Sequence, residues 1–379
     1  MRSLFILLCV LITFNTQAQT SVLNQADSLY SNGNYSKAIV AYKTHSNQDE
    51  VNAKIAKSYV ALGNYDKALE FYKLAAEEDP KNGLILYEYA RLLSKTKNFE
   101  TSIEVFNKLM NIDYRNPNYH YEMGLALERM EDDSTALNRF RSAYDLDQTH
   151  QKAIFKIAKH FLIKRKHDIS HRYIDKGLES YENNIELISL KAQNYYYQDD
   201  YHNARDWFKK LIEMGESSEF IHEKLSTLHA EFTDYELAIE QRKLVLKYNP
   251  YSADAMLLIG SYYNRLKDFK NAEKYIRQAL ALKDVPLDYE YQLLGTVLNR
   301  QDKNKEAIAA FQESLKENPN NISSEFYIIS TKDKYYADLE TKIKMYEDFR
   351  DKYPDTFYSK FASRRLTELK QEKFLKTKD

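Results

Sequence analysis

The chain has 379 residues, with 55 Lys and Arg against 56 Asp and Glu, so its formal net charge at pH 7 is -1. That balance excludes the broad basic field that binds nucleic acid, and we expect no nucleic-acid partner. The single cysteine, Cys9, falls inside the first predicted element, so the rest of the chain has no thiol for a disulfide, a nucleophile or a metal.

That first element, residues 1–18, has the pattern of a secretory signal peptide. Arg2 precedes an apolar run from Leu4 to Phe14, and Ala18 supplies a small residue at the predicted cleavage site. The run is too short to span a bilayer, and no later stretch is apolar enough for a transmembrane segment. A lipid-anchor cysteine would follow the run, so we expect no anchor. An exported chain without disulfides favours a bacterial envelope, and we predict a periplasmic or otherwise envelope-associated protein.

Small residues recur at a fixed spacing between residues 19 and 321. One series, which we number position 20 of each repeat, has a period of 34 through its middle: Ala38, Ala68, Ser102, Ala136, Ser170, Ala204, Ala238, Ala272 and Ala307. A second series, position 8, lies twelve residues upstream: Ala26, Ala56, Ala90, Gly124, Ala158, Ala192, Ser226, Gly260 and Gly295. Stacked supersecondary units produce such a period, so we predict nine repeats over 19–321.

Each repeat has the pattern of two helices joined by a short turn. Apolar residues at positions 4, 7, 8 and 11 share one helical face, and those at 17, 20, 24 and 27 share another. Position 16 is an Asn or Asp in seven repeats, which predicts a side-chain cap on the second helix. These residues are Asn34, Asn64, Asn98, Asp132, Asp200, Asp234 and Asp268, while Lys166 and Lys303 are the exceptions.

This pattern closely resembles the tetratricopeptide repeat family. The match is clearest in residues 49–82, where Ala56, Tyr59, Gly63, Tyr65, Ala68, Tyr72, Ala75 and Pro80 fall where the family places them. The resemblance implies an all-α fold, a right-handed α-solenoid of about nine to ten stacked repeats. We predict a degenerate tenth helix pair over 322–355 and a C-terminal capping helix over 356–379. The apolar face of that last helix is predicted to contain Phe357, Phe361, Leu366, Leu369 and Phe374.

The resemblance also implies a non-catalytic scaffold that binds a protein or peptide along a concave face. In the family, positions 2, 5, 9 and 12 of the first helices line that face. The candidate binding residues of this chain at those positions are Tyr87, Arg91, Tyr121, Phe155, Lys159, Gln193 and Tyr196. Aromatic and Arg side chains dominate many binding surfaces. The alternative for each aromatic residue is packing between neighbouring first helices.

One binding mode of the family is not expected here. Some members hold a C-terminal carboxylate with Lys at position 5 and Asn at position 9. The pairs at these positions are Ala53 with Lys57, Tyr87 with Arg91, Tyr121 with Leu125, and Phe155 with Lys159. The clamp is not reproduced, so binding of chaperone tails is not inferred.

No motif predicts catalysis, a metal site or a cofactor. The chain lacks a Gly-x-Ser-x-Gly elbow and a Gly-rich phosphate loop. His222 and Glu223 begin like a zinc-protease motif, but the required second histidine is absent. His167 and His171 have the i, i+4 spacing of metal ligands, but no third ligand completes a site. We therefore predict that the protein is not an enzyme.

Two polar features interrupt the repeat pattern. A basic run, Lys164 to Lys166, lies at the predicted turn of one repeat, where we expect solvated side chains. In the repeat 219–252, His229 and Arg242 replace large apolar residues. We expect Arg242 to lay its aliphatic stem on the seam and keep its charged end in water. The alternative is a softer joint in the stack at this repeat.

Three functions follow as hypotheses. The first is a non-catalytic protein–protein interaction scaffold of the bacterial envelope, in an outer-membrane or secretion assembly. The second, from another class, is a glycan-binding module that uses some of the 32 tyrosines as stacking platforms. The third is an exported hydrolase. The sequence leaves the partner, the pathway and the oligomeric state open.

Overall fold

The computed structural model describes residues 22–282, 287–335 and 338–376, so the predicted leader over 1–18 lies outside the described residues. Within these ranges every regular element is a helix. The helices are α1 22–31, α2 Tyr35–Lys43, α3 Gln48–Ala61, α4 Tyr65–Glu78, α5 Gly83–Lys95, α6 Phe99–Ile112, α7 Pro117–Arg129, α8 Asp133–Leu146, α9 Gln151–Ile163, α10 His167–Ser180, α11 Ile185–Tyr197, α12 Tyr201–Glu213, α13 Glu219–Glu231, α14 Tyr235–Tyr248, α15 Ala253–Arg265, α16 Phe269–Leu280, α17 Asp288–Arg300, α18 Asn304–Glu317, α19 Ile322–Tyr335, α20 Leu339–Lys352 and α21 Phe357–Lys376.

The chain divides into two compact units, a first that ends at Asn194 and a second that begins at Tyr195. An odd-numbered helix and the even-numbered helix after it form a pair, such as α5 with α6 or α15 with α16. Within each unit, paired helices pack together, and the second helix of a pair also packs on the first helix of the next. The predicted fold class is confirmed: the fold is all-α, and each unit is a solenoid of stacked helix pairs.

The small residues of positions 8 and 20 lie where the two helices of a pair touch. Three serines show how close this approach is, because each donates to the backbone carbonyl at the other small position. Ser102 Oγ donates to Ala90 O over 2.8 Å, and Ser170 Oγ donates to Ala158 O over 2.9 Å. In the second unit, Ser226 Oγ donates to the carbonyl of position 20 over 2.8 Å. A larger residue would separate the helices and break these bonds.

Two glycines at position 8 face a phenylalanine at position 24 of the same repeat. A Cβ on Gly124 would lie 2.6 Å from Cε1 of Phe140, and a Cβ on Gly295 would lie 2.6 Å from Cε1 of Phe311. Both rings are almost fully buried. The ring therefore occupies the space that any side chain at position 8 would need.

The turns inside the nine repeats share one backbone conformation. Position 15 has a left-handed φ between 55° and 76° at Gly33, Gly63, Lys97, Glu131, Arg165, Asp199, Thr233, Lys267 and Asp302. In all nine, the N–H of position 16 donates to the C=O of position 11 over 2.8–3.1 Å. This is the Schellman bond that ends a helix. Only two of the nine residues are the glycine that the conformation favours, so the other seven carry local strain.

The predicted side-chain caps form at four of the seven Asn and Asp residues of position 16. The side chains of Asn64, Asp132, Asp200 and Asp268 each accept a bond from a backbone N–H three residues later. Those of Asn34, Asn98 and Asp234 do not, so the prediction is wrong there. The amide of Asn98 donates to the Thr96 hydroxyl instead. Because the Schellman bond closes the turn in every repeat, the side-chain cap is an addition and not a requirement.

A further row of caps, at the start of the first helices, went unrecognised in the sequence. The side chains of Asn82, Asn116, His150, Asn184, Ser218 and Ser252 each accept a backbone N–H of the following helix. These residues are 34 positions apart. His150 obscures the series, since it caps through Nδ1, which accepts from Ala153 N over 3.1 Å. The period of 34 was the signal that would have found them.

The last helix, α21, buries only two of the five residues predicted for its apolar face, Leu366 and Leu369. Ala362, Leu366 and Leu369 are buried, whereas Phe357 is 67% exposed and Phe374 is 59% exposed. At about 100° per residue, Phe357 and Leu366 lie on opposite sides of a helix. The five apolar residues therefore do not form one face, and that prediction is wrong.

Arg242 in α14 also departs from its predicted environment. Its side chain is buried, and its guanidinium donates to Ser226 Oγ over 3.3 Å and to Glu223 O over 3.4 Å. An ion pair, also of 3.4 Å, joins it to the Glu223 carboxylate. The charged end is bonded inside the repeat because small polar residues of α13 supply acceptors there. The expectation that it lies in water is wrong.

Candidate functional site

Six of the seven candidate binding residues lie on the first helices of the first unit. Tyr87 and Arg91 are in α5, Tyr121 is in α7, and Phe155 and Lys159 are in α9. Gln193 is near the end of that unit, in α11, while Tyr196 belongs to the second unit. We call the exposed surface of α5, α7 and α9 the first-helix face. Each of these three helices contains at least one candidate residue, because positions 5 and 9 recur at intervals of 34 residues.

Tyr87 and Arg91 form a cluster with a residue that was not predicted, Glu122 of α7. The Tyr87 hydroxyl donates to Glu122 Oε1 over 3.5 Å, and Arg91 Nε lies 3.5 Å from the same oxygen. The guanidinium carbon of Arg91 is 5.6 Å from the centroid of the Tyr87 ring. Position 6, where Glu122 lies, is charged at Lys54, Glu88, Glu122 and Lys156. That series was the available signal for this residue.

Burial governs the ionisation of this cluster. It raises the pKa of Glu122 above its usual range, while the neighbouring charge of Arg91 opposes the shift. Burial also raises the pKa of the Tyr87 hydroxyl, and the Glu122 carboxylate adds to that effect. The side chain of Glu122 is 19% exposed, against 51% for Arg91. The guanidinium therefore has an open side from which a ligand carboxylate can approach.

A groove of about 440 Å³ opens beside this cluster and runs across α3, α5 and α7. Its cations are Arg91, Lys95 and Arg129, and its carboxylates are Glu88 and Glu122. Apolar side chains such as Leu92 and Leu125 complete the lining. We call this the first groove.

A second groove, of about 120 Å³, lies between α7, α8 and α9. Its cations are Lys156, Lys159 and Lys164, and its carboxylates are Glu128 and Asp133. Lys159 is the equivalent of Arg91 two repeats later, since both occupy position 9. The two predicted cations of the first unit therefore line grooves at the same place in the repeat.

Ion pairs between successive repeats neutralise part of the charge on the first helices. Arg91 pairs with Glu122, and Lys156 Nζ lies 2.5 Å from Glu128 Oε2. Lys159 has a different environment, with its Nζ 5.9 Å from the Phe155 ring centroid. Lys159 is exposed and makes no ion pair with any described residue. It is therefore available to an anionic ligand.

Tyr121 and Gln193 are more constrained than Arg91 or Lys159. The Tyr121 ring is half-buried, 5.7 Å from Phe140 and 5.2 Å from the His150 ring, and burial raises the pKa of its hydroxyl to about 12. The Gln193 amide donates to Ser189 O over 3.2 Å. The Tyr121 ring therefore packs within its own repeat, against Phe140 of α8 and the capping residue His150.

Tyr196 belongs to an aromatic cluster of the second unit. The Nζ of Lys224 is 4.1 Å from the centroid of the Tyr196 ring, 5.8 Å from that of Tyr197 and 5.7 Å from that of Phe220. Burial lowers the pKa of Lys224. We call these four residues the tyrosine–lysine cluster.

The histidines considered as metal ligands have other partners. His167 Nδ1 lies 2.6 Å from Asn194 Oδ1. His222 lies 2.8 Å from Ser217 Oγ through Nε2 and 2.7 Å from Gln241 Oε1 through Nδ1. In the described ranges, no three His, Cys, Asp or Glu side chains converge as metal ligands would. No described helix has both the length and the apolar character of a bilayer span.

Comparisons with known proteins agree with the repeat frame. Family models described as Tetratricopeptide repeat match residues 59–124, 253–285 and 291–321. The match at 253 begins at position 1 of a predicted repeat. None of the curated protein sequences compared with the chain matches it.

Several experimentally determined structures resemble the chain. The C-terminal part of a TPR repeat-containing protein from Cytophaga hutchinsonii is 16% identical with a TM-score of 0.53, over 64% of this chain and 99% of that one. A tetratricopeptide repeat protein from Parabacteroides merdae is 15% identical with a TM-score of 0.47, over 66% and 99%. Pseudomonas aeruginosa pilF is 17% identical with a TM-score of 0.45, over 57% and 99%.

The Cytophaga structure supports the fold alone at this level of identity. Together with the matched family models and the helix pairs in step with a period of 34, it agrees with the resemblance seen in the sequence. The chain therefore contains tetratricopeptide repeats at the matched residues.

Proposed function

We propose that the first unit binds an extended acidic segment of a protein partner along its first-helix face. Proteins of this family are generally non-catalytic interaction scaffolds, and we propose that role for this chain. The observation that carries the proposal is the pair of grooves at equivalent places in the repeat, each with a predicted cation at position 9.

Charge favours an acidic ligand in both grooves. Each is lined by three Lys or Arg and two Asp or Glu, an excess of one positive charge. Arg129 of the first groove and Lys164 of the second are exposed, and neither pairs with a carboxylate in the part of the chain that the structure describes. Unpaired cations beside apolar side chains suit a peptide that carries both carboxylates and apolar groups.

The separation of the grooves favours an extended segment. Packed helices lie about 8–10 Å apart, so first helices two repeats apart are separated by about 16–20 Å. An extended chain rises about 3.3 Å per residue, so about five or six residues reach from Arg91 to Lys159. A segment of about ten residues would occupy both.

The test measures binding of a labelled acidic peptide of about ten residues to the full chain without its leader. We expect Arg91→Ala and Lys159→Ala each to weaken binding about fivefold, and the double variant about twentyfold. Lys73→Ala with Lys108→Ala removes two exposed charges on second helices and is the matched control. Equal affinity for a peptide in which Gln replaces every Glu, or an unaffected double variant, would contradict the proposal.

We further propose that the protein works in the bacterial envelope, in an outer-membrane or secretion assembly. The support is the predicted signal peptide, with cleavage after Ala18. Expression of the full chain, cell fractionation and N-terminal sequencing test this. We expect a mature chain that begins at Gln19 and fractionates with periplasmic markers. A chain that retains its leader and stays in the cytoplasm would exclude it.

Glycan binding is a second candidate, favoured by the tyrosine–lysine cluster of the second unit. Tyr197 is 53% exposed and Phe220 is 37% exposed, and both lie beside Tyr196 and the ammonium of Lys224. Exposed aromatic rings can stack on sugar rings. Titration with envelope oligosaccharides tests this: saturable binding that Tyr196→Ala abolishes would support it, and no binding would remove it.

A further inference from the structure

A groove on the second-helix side of the first unit lies apart from the first-helix face. It has a volume of about 400 Å³ and lies between α8, the end of α9 and α10. Three cations line it, Arg141, Lys166 and Arg172. Lys166 belongs to the basic run that we expected to be merely solvated. We call this the second-helix groove.

The charge of this groove is one-sided. Arg141, Lys166 and Arg172 are all exposed, and no Asp or Glu lines the groove. None of the three makes an ion pair with a described residue. The guanidinium of Arg141 lies over the Phe161 ring, 5.4 Å from its centroid, which holds it at the edge of the groove. Three unopposed cations in one groove leave a ligand carboxylate without competition from the protein.

The surrounding repeat has an excess of basic residues, although the chain as a whole is balanced. Residues 151–184 contain eight Lys and Arg and four Asp and Glu, whereas the full chain has a net charge of -1. Lys166 and Arg172 lie in this basic repeat, whereas Arg141 comes from α8 of the preceding repeat, and the groove brings the three cations together.

The remaining lining is aromatic and aliphatic. Tyr173 lies parallel to Phe161 at 6.2 Å and in an edge-to-face arrangement with Tyr144 at 5.3 Å. These rings pack against each other and form the apolar side of the groove. Half-buried Ile169 also lines the groove. A polyanion without apolar groups would bury no apolar surface against this side of the groove.

We propose that the second-helix groove is a separate binding site for an acidic peptide segment in which carboxylates stand next to aliphatic or aromatic side chains. The guanidinium groups of Arg141 and Arg172 bind carboxylates, since a guanidinium matches a carboxylate in two-bond geometry. The apolar neighbours on the peptide pack on Tyr144 and Ile169. The chain then holds acidic segments on both sides of the first unit.

The experiment titrates the full chain without its leader with a labelled peptide that repeats Glu-Glu-Leu-Glu-Tyr. We expect Arg141→Ala and Arg172→Ala each to weaken binding about fivefold, and the double variant about twentyfold. To separate this site from the first-helix face, the titration is repeated in the Arg91→Ala/Lys159→Ala background. In that background, Arg141→Ala/Arg172→Ala must still weaken peptide binding.

Lys108→Ala is the matched control, because Lys108 is an exposed, unpaired cation of α6 away from the groove. It should change affinity less than twofold. Arg172→Glu should lower affinity for the acidic peptide further and create affinity for a peptide with Lys in place of Glu. Unchanged binding in the Arg141→Ala/Arg172→Ala variant would overturn the proposal. So would an oligothymidylate or a polyuronate that binds more tightly than the peptide and loses affinity in the same variants.

Discussion

Nε of Arg91 lies 3.5 Å from Oε1 of Glu122, and this ion pair joins the first helices of two successive repeats. The same two side chains line the first groove. One contact thus links the stacking of the repeats to the surface that we propose for binding. A change at Arg91 is therefore expected to affect both stability and affinity.

Arg91→Ala should lower the free energy of unfolding by about 0.5–1 kcal/mol at pH 7, a modest loss because the arginine is half exposed. Burial already raises the pKa of Glu122, and removal of Arg91 raises it further. A raised pKa gives stability that is full below the unfolded value and is lost as pH rises through the folded value. The loss caused by Arg91→Ala should therefore shrink near pH 4 in denaturant titrations.

The matched variant for that experiment is Arg91→Ala with Glu122→Gln. It removes the partly buried carboxylate, so its stability should depend less on pH between 4 and 7 than that of Arg91→Ala alone. Equal destabilisation by Arg91→Ala at both ends of this range would show that the ion pair does not contribute.

Thr233→Gly should stabilise the second unit by about 0.5–1 kcal/mol. Thr233 has φ of 63°, and a β-branched residue is strained in this left-handed conformation. Glycine removes that strain, although it adds entropy to the unfolded chain. The control is Glu231→Gly in the neighbouring helical turn, which should destabilise by about 0.5–1 kcal/mol. Thermal unfolding of both variants measures the difference, and a destabilised Thr233→Gly would contradict the strain argument.

Gly124→Ala should destabilise the first unit by about 1–3 kcal/mol. The added Cβ would lie 2.6 Å from Cε1 of Phe140, inside the van der Waals contact distance. Gly83→Ala is the matched control, because its Cβ would meet only the ends of two side chains, the Tyr119 hydroxyl at 3.3 Å and Leu109 Cδ2 at 4.0 Å. Gly124→Ala/Phe140→Leu should recover part of the stability in urea denaturation. A neutral Gly124→Ala would mean that the ring shifts freely.

Stability of the second unit should fall as pH drops from about 4.5 towards 2. Burial alone would raise the pKa of Glu273, but hydrogen bonds from Lys303 at 2.7 Å, Arg277 at 2.9 Å and Gln301 at 3.0 Å lower it to about 2. A lowered carboxyl pKa gives stability that is present above the unfolded value, about 4.3, and lost as pH falls through the folded value.

Glu273→Gln tests this contribution. It should remove about 1–2 kcal/mol at pH 7 and flatten the acid limb of the stability profile, measured by chemical denaturation. Glu317→Gln at an exposed position without a partner is the control and should leave the limb unchanged. An identical acid limb in Glu273→Gln and the unmodified chain would refute the assignment.

Hydrogen exchange should show similar protection in α13–α14 and in α15–α16. The buried guanidinium of Arg242 bonds to Ser226 and to the backbone of Glu223, so this repeat is tied internally. Arg242→Ala should lower protection locally, because it leaves those acceptors unpaired and a cavity in their place. Lower protection of α13–α14 in the unmodified chain would instead favour the softer joint.

The period of 34 in the sequence is enough to determine the fold of the repeats. Small residues are needed where the two helices of a pair cross. This crossing recurs once in each repeat, so Ala90, Gly124 and Ala158 are spaced 34 residues apart. The same period placed Arg91 and Lys159 at equivalent positions on the first helices. Both features depend on the position of a residue within its repeat, so they can be predicted from one sequence.

Only the tertiary structure decided which of those residues are open to a partner. Arg91 and Tyr121 were predicted on the same surface, yet the Tyr121 ring is half-buried against Phe140 and His150, while Arg91 has an open side towards the first groove. Glu122, the partner of Arg91, belongs to the next repeat, whereas Phe140 and His150 lie later in the same repeat as Tyr121. The period gives the position of a side chain, but the size and charge of its neighbours decide whether it packs, pairs or remains free to bind.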